Sequence, residues 1–178
     1  MASRSRKRGY LVLGKYMSLS VNKFLVDNNV GRLAKALRAL AYDTVFVNPI
    51  ADSDLVEIAR REGRIILTKD TGILRRRLIT SGQVSALQIE GDDWRQQLAQ
   101  VVRELDLATR PRFTRCIECN TLLDPRTREE ARPHVPPYVY RTQRSFLICP
   151  SCGRHYWQGT HWQRMTRDFA RILMPETE

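Results

Sequence analysis

The chain has 178 residues, 42% hydrophobic and 28% charged, with a formal net charge of +11 and a pI near 10.1. That length suits one large domain, or a medium domain with a small module. The apolar content excludes wholesale disorder, and no apolar run approaches the 18 residues of a membrane span.

The charge is unevenly spread. Residues 1–23 carry six Lys/Arg and no acid, residues 24–109 carry twelve of each sign, and residues 110–178 carry twelve basic and seven acidic residues. Basic flanks around a balanced centre suit a polyanionic partner, with generic solubility charge as the alternative. The start, Met1-Ala2-Ser3-Arg4-Ser5-Arg6-Lys7-Arg8, leads into a short apolar stretch broken by Lys15. This argues against a secretory signal. A basic arm over residues 1–22 is expected, or a mis-assigned start with Met17 as a second candidate. Acid-free, Arg- and Ser-rich starts also occur in organelle transit peptides.

Phe24-Leu25-Val26 reads as a short buried strand running into Asp27-Asn28-Asn29. From Gly31 the period turns helical, with Leu33, Leu37 and Leu40 on one face. Thr44-Val45-Phe46-Val47 is β-branched and aromatic, hence a second strand, closed by Pro49. A helix follows from Asp54 to Arg61 and stops at Gly63. Ile65-Ile66-Leu67-Thr68 is a third strand, and Thr71 to Leu78 a short Arg-rich helix. Val84 to Ile89 is a fourth strand. Asp92 or Asp93 opens a helix with Trp94, Leu98, Val101, Val102 and Leu105 in one stripe. The order β-α-β-α-β-α-β-α predicts an α/β fold over residues 23–109, a parallel sheet flanked by helices. Pro111 marks a boundary, and residues 110–172 form a second unit that carries all four cysteines.

Three acids stand at strand ends, where such sheets bind ligands. Asp27 follows the first strand, Asp70 follows the third, and Asp54 opens the helix after the second; Asp52 is an alternative to Asp54. Carboxylates aimed at one point need a cation, and hard oxygen ligands favour Mg²⁺ or Mn²⁺. Such an ion lowers the pKa of bound water and clamps phosphoryl oxygens. Each acid also has a plainer reading. Asp54 with Glu57 fits a capping box, Asp70 fits a helix cap, and Asp92 and Asp93 read as caps. Asp27, ending a buried strand, has no obvious structural task. Thr68 fits as a support for Asp70 or for water. Asn29 and Asn28 fit as positioning groups or caps. Lys69, Arg75 and Arg76 suit phosphate contact or a solvated helix face.

Cys116-Ile117-Glu118-Cys119 and Cys149-Pro150-Ser151-Cys152 are two C-x2-C knuckles separated by 29 residues. Two residues between thiolates let both sulfurs bind one tetrahedral ion. A closed Cys₄ site with structural Zn²⁺ is expected, in a reducing, cytoplasmic compartment rather than a disulfide scaffold. The long gap, rich in proline, is an ordered insertion or an extended strand pair. After the second knuckle, Arg154, Trp157, His161 and Trp162 mix base with aromatic. Such residues stack on unpaired bases and hold phosphates, or else close the small core of a metal module.

Taken together, Phe24-Leu25-Val26-Asp27, Gly31-Arg32-Leu33-Ala34, Tyr42-Asp43-Thr44, Ser53-Asp54, Arg64-Ile65-Ile66-Leu67-Thr68-Lys69-Asp70 and the run from Cys149 to Trp162 resemble PIN-like ribonucleases. The resemblance is to the subgroup named for the C-terminal part of the mutator-seven exonuclease, and it spans roughly residues 22–167. It implies a PIN-like catalytic fold, divalent-metal cleavage of RNA and a fused zinc ribbon, with Asp27, Asp54 and Asp70 on the family's acidic positions. The chain departs from the pattern at three places. Leu74 stands where a fourth acid is common, Ala41 where glycine usually precedes the Tyr/His-Asp pair, and Asn28-Asn29 where an apolar pair is commoner. Three acids imply one firmly held ion and a weaker second. Histidine general-base chemistry is disfavoured, because no His lies within residues 1–133. The expected activity is hydrolysis of an RNA phosphodiester by metal-activated water. The alternatives are a non-catalytic RNA- or ribosome-binding module, or a protein-interaction adaptor using the ribbon.

Overall fold

A computed structural model of the chain describes residues 11–12, 22–107 and 113–173. Most of the basic arm and the Pro111 boundary therefore lie outside the described residues. The first sheet contains β1 (Leu11–Val12), β2 (Lys23–Val26), β3 (Asp43–Phe46), β4 (Ile65–Thr68) and β5 (Ala86–Gln88), in the order β1-β5-β4-β2-β3. Strands β2 to β5 are mutually parallel, and β1 adds an antiparallel edge to β5. The parallel sheet and its helices are those the sequence predicts.

Both faces of the sheet are covered, which is why its central strands are apolar throughout. On one face α1 (Gly31–Ala39) and α5 (Trp94–Glu104) pack Leu33, Leu37, Leu98 and Val101 against Phe24, Val26 and Leu67. On the other, α2 (Asp52–Glu62) sets Leu55, Val56 and Ala59 against Leu25 and Ile66. Gly63 ends α2 in the left-handed conformation at φ 62°, the usual glycine stop. The Arg-rich helix breaks in two, α3 (Thr71–Leu74) and α4 (Arg77–Thr80). Arg76 is extended at the break, so that Ile73, Leu74 and Ile79 all reach the core.

The gap between the knuckles is an ordered insertion. It comprises β6 (Asp124–Arg126), α6 (Arg128–Ala131), a 3₁₀ turn, and α7 (Pro137–Thr142) before β7 (Phe146–Ile148). With β8 (His155–Trp157), strands β6 and β7 form a small antiparallel sheet. A last helix, α8 (Thr160–Leu173), returns to the first core. Its Phe169 is buried beside Phe113, whose ring lies 3.7 Å from that of Trp162. No described helix is long and apolar enough to cross a membrane.

Candidate active site and metal centre

The chain leaves β2 toward β3 on one side and leaves β4 toward β5 on the other. The C-terminal ends of β2 and β4 thus flank a topological switch point, the crevice where open α/β sheets bind ligands. Asp27 and Asp70 sit there. The Asp27 backbone donates to Leu67 O at 3.0 Å, fastening the end of β2 to β4. Its carboxylate is nearly buried and accepts three hydrogen bonds: Oδ1 from the Asn28 amide (2.6 Å), and Oδ2 from Asn29 Nδ2 (2.8 Å) and Thr68 Oγ1 (2.6 Å). Asp27 therefore has a structural task after all, capping the 3₁₀ turn Asn28–Val30.

Thr68 carries the network onward. Its Oγ1 also accepts from the Asp70 amide at 2.9 Å, and Asp70 Oδ1 caps α3 through the Gly72 amide at 2.6 Å. Asn29 Oδ1 accepts from the Lys69 amide at 3.2 Å. Four sequence-predicted site residues, Asp27, Asn29, Thr68 and Asp70, are thus joined by hydrogen bonds in one cluster. Asp54 stands apart from it. It is exposed in the first turn of α2, not at its cap, and accepts a long hydrogen bond from Ser53 Oγ at 3.5 Å. Asp52 opens the same helix and pairs with Arg76 at 3.3 Å. Among the described residues, these three acids are not gathered as tightly as the four cysteines are. A carboxylate offers about four lone-pair sites. Asp27 uses three and Asp70 one, so each keeps a site that a cation can take.

Three further positions named in the sequence take on a physical meaning here. Leu74 is buried against the α2 face of the sheet, where an acid would lie in hydrocarbon. Gly31 meets Phe46, whose Cζ lies 2.7 Å from where a Cβ would stand. Ala41 has φ 73°, the left-handed region that glycine favours.

The four cysteines form the second site. Their sulfurs lie within 4.8 Å of one another, with Cys116–Cys152 at 3.6 Å and Cys119–Cys149 at 3.3 Å. No disulfide joins them. These spacings suit four thiolates about 2.3 Å from a tetrahedral ion. Each knuckle is a backbone turn, closed by Asn120 N to Cys116 O and by Gly153 N to Cys149 O, both 2.9 Å. Four thiolates cannot all ionise beside one another without a cation. A backbone hydrogen bond from Arg154 lowers the Cys152 pKa, but burial and three sulfur neighbours outweigh it and push the thiol up to about 12. For Cys119, burial raises the pKa, yet hydrogen bonds with Thr121 and neighbouring sulfurs bring it down to about 6. Tyr156 places its hydroxyl 3.0 Å from Cys116 Sγ and, buried there, has its pKa raised.

The knuckle is wired into the α/β core by residues that carry no obvious signal in the sequence. Buried Arg38 donates to Thr44 O (2.8 Å), Ile117 O (3.0 Å) and Glu118 O (2.7 Å). Asn120, left-handed at φ 70°, accepts from the Thr44 amide (3.0 Å) and donates to Asp43 Oδ1 (2.8 Å). Arg64, also buried, donates to the same oxygen at 2.7 Å. Burial alone would raise the Asp43 pKa, but the hydrogen bonds from Arg64 and Asn120 and the charges of Arg64 and Arg115 leave it lowered. The available signals were the Tyr42-Asp43 pair and Arg64, both among the residues that carry the resemblance.

The candidate nucleic-acid residues are scattered. Lys69 pairs with Asp92. Arg75 and Arg154 are exposed, and Arg76 is partly held by Asp52. Trp157 is half-buried against Phe146 and Val135. His161 is exposed, and one face of Trp162 is taken by Phe113.

The family model of the Mut7-C RNAse domain matches residues 22–169. A search of curated proteins and of solved structures finds no match to the chain.

Proposed function

The chain belongs to the Mut7-C RNAse domain family, and on that premise we propose that it is a metal-dependent ribonuclease hydrolysing RNA phosphodiester bonds at the β2–β4 crevice. The observation that carries this reading is the chain of hydrogen bonds Asp27–Thr68–Asp70 at the switch point of the sheet. Asp27 and Asp70, with Asp54 from the exposed first turn of α2, are the proposed ligands of Mg²⁺ or Mn²⁺. An ion bound there would acidify water and neutralise charge on the phosphate. The chain's own part is positional. Thr68 donates to Asp27 and so orients that carboxylate, while Asn29 donates to the same oxygen. Lys69, Arg75, Arg76, Arg154, Trp157, His161 and Trp162 are the proposed RNA contacts.

The four cysteines are proposed to hold a structural Zn²⁺. With all four positions filled by sulfur, such a site has no open coordination position for catalysis. The test is RNA cleavage by the purified protein with Mg²⁺, with Mn²⁺ and with neither. Cleavage that needs the divalent ion and is lost in both Asp27→Asn and Asp70→Asn is expected. Ion-dependent cleavage surviving both changes would sink the carboxylate site. Burial of Leu74 in place of a fourth acid favours a second reading, a non-catalytic RNA-binding module. That reading requires the unaltered chain to bind RNA and cleave none.

A further inference from the structure

A groove of about 610 Å³ opens between α7, β8 and the first turns of α8. Its walls are largely apolar, with Tyr138, Val139, Trp157, Trp162 and Met165 beside His161. Tyr138 is 68% exposed although it is a large aromatic. Three amides, of Gln143, Gln158 and Gln163, line the same groove. Trp157 is fixed in place. Its indole lies against Gly159, where a Cβ would stand 2.8 Å from Nε1. Exposed Arg141, Arg144, Arg154, Arg164 and Arg167 come from the same elements and adjoining loops, against few acids.

The groove does not end blindly. A second, smaller cleft of about 240 Å³ shares His161, Met165 and Ile117 with it. That cleft is bounded by Arg32, Lys35 and Trp94. Arg32 belongs to the helix that starts beyond Asp27, and Trp94 follows Asp92, the partner of Lys69. Through His161 and Met165 the groove thus adjoins the first turns of α1 and α5, the helices that follow β2 and β5.

We propose that this groove seats unpaired bases of a single-stranded RNA segment whose continuation reaches the β2–β4 crevice. The proposal rests on the nuclease reading for its substrate and adds to it the substrate class, RNA with a single-stranded flank. Aromatic faces accept any base, and side-chain amides can bond base edges. The arginines match a phosphate chain, which favours RNA over an apolar peptide. A blunt duplex has no free base to place there.

Binding is read on full-length, zinc-loaded Asp27→Asn protein, so that cleavage plays no part. The probes are a labelled single-stranded 15-mer, the same strand in a blunt duplex, and a single strand with 2-aminopurine at successive positions. Single-stranded RNA is expected to bind at least tenfold tighter than the duplex, and 2-aminopurine is expected to quench at positions on one side only. Tyr138→Ala, at an exposed site, should weaken single-strand binding about tenfold without lowering the melting temperature. His161→Ala is a second variant outside the core and should act in the same direction. Equal affinity for strand and duplex, or unchanged binding in both variants, overturns the proposal and leaves the groove to a protein partner. Tyr138-dependent binding by a chain that cleaves nothing upholds the groove while removing the catalytic reading. Cleavage indifferent to both variants and to strandedness does the reverse.

Discussion

Asp43 and Asn120 meet across 77 residues of chain, Asn120 Nδ2 donating to Asp43 Oδ1 at 2.8 Å. One end of this bond is a sheet strand, and the other directly follows Cys119. The Asp43 carboxyl, held low by Arg64 and Asn120 against the opposing effect of burial, makes the junction sensitive to acid. A depressed folded pKa stabilises fully above the unfolded carboxylate value, near 3.9, and that stabilisation is lost as pH falls through the lower folded value. Melting temperature followed from pH 6 to pH 2 should drop most steeply in that window. Asp43→Asn should flatten the drop and cost on the order of 2–3 kcal/mol at neutral pH, because Arg64 is buried.

Metal loss should travel along the same contacts. Arg38 donates to the Ile117 and Glu118 carbonyls inside the first knuckle. A knuckle loosened by chelation leaves that buried guanidinium short of acceptors. A chelator, or Cys116→Ser, is expected to lower the melting temperature of the whole chain and not only to unfold residues 113–157. Hydrogen exchange at Thr44, whose amide donates to Asn120, reads this directly. Unchanged protection there would show the two parts to be uncoupled.

Ala41→Gly should stabilise. At φ 73° alanine is strained, and glycine relieves more there than its greater unfolded-chain entropy costs. A gain of about 0.5–1 kcal/mol in denaturant unfolding is expected. No gain would mean that the Arg115 contact to the Ala41 carbonyl had shifted in compensation.

Thr68→Val keeps the shape of a fully buried side chain but removes the hydroxyl that links Asp27 to Asp70. Outer partners of metal ligands typically matter by about 10–100-fold in metal affinity or activity. The variant should need more Mn²⁺ to reach half-maximal cleavage, by a factor in that range, and Thr68→Ser should restore much of the loss. Equal Mn²⁺ dependence in both would reduce Thr68 to a packing residue.

Much of this was legible in the chain. The strands announced themselves as short apolar runs, because a parallel strand covered on both faces has no polar side to show. Asp27 was legible as an acid directly after such a run and Asp70 as one two residues after, and the cysteines by spacing alone. Other features were hidden for physical reasons. A lone arginine such as Arg38 looks like any solvated helix residue until its partners arrive from 80 positions away. The break at Arg75–Arg76 satisfies core packing by Ile73 and Ile79 rather than any local breaker. Asp54 was read from its position after a strand, and the structure sets it in the exposed first turn of α2 without a hydrogen bond to the Asp27 cluster among the described residues. The edge strand Leu11–Val12 is too short to carry a period.

Phe169, in the final helix, fills a core built mostly by the first hundred residues. Separating the chain near residue 110 would leave an apolar socket on one fragment and a greasy plug on the other. Shuffling of gene segments would therefore be punished at that seam, and the heritable unit runs from the first acid to the last aromatic.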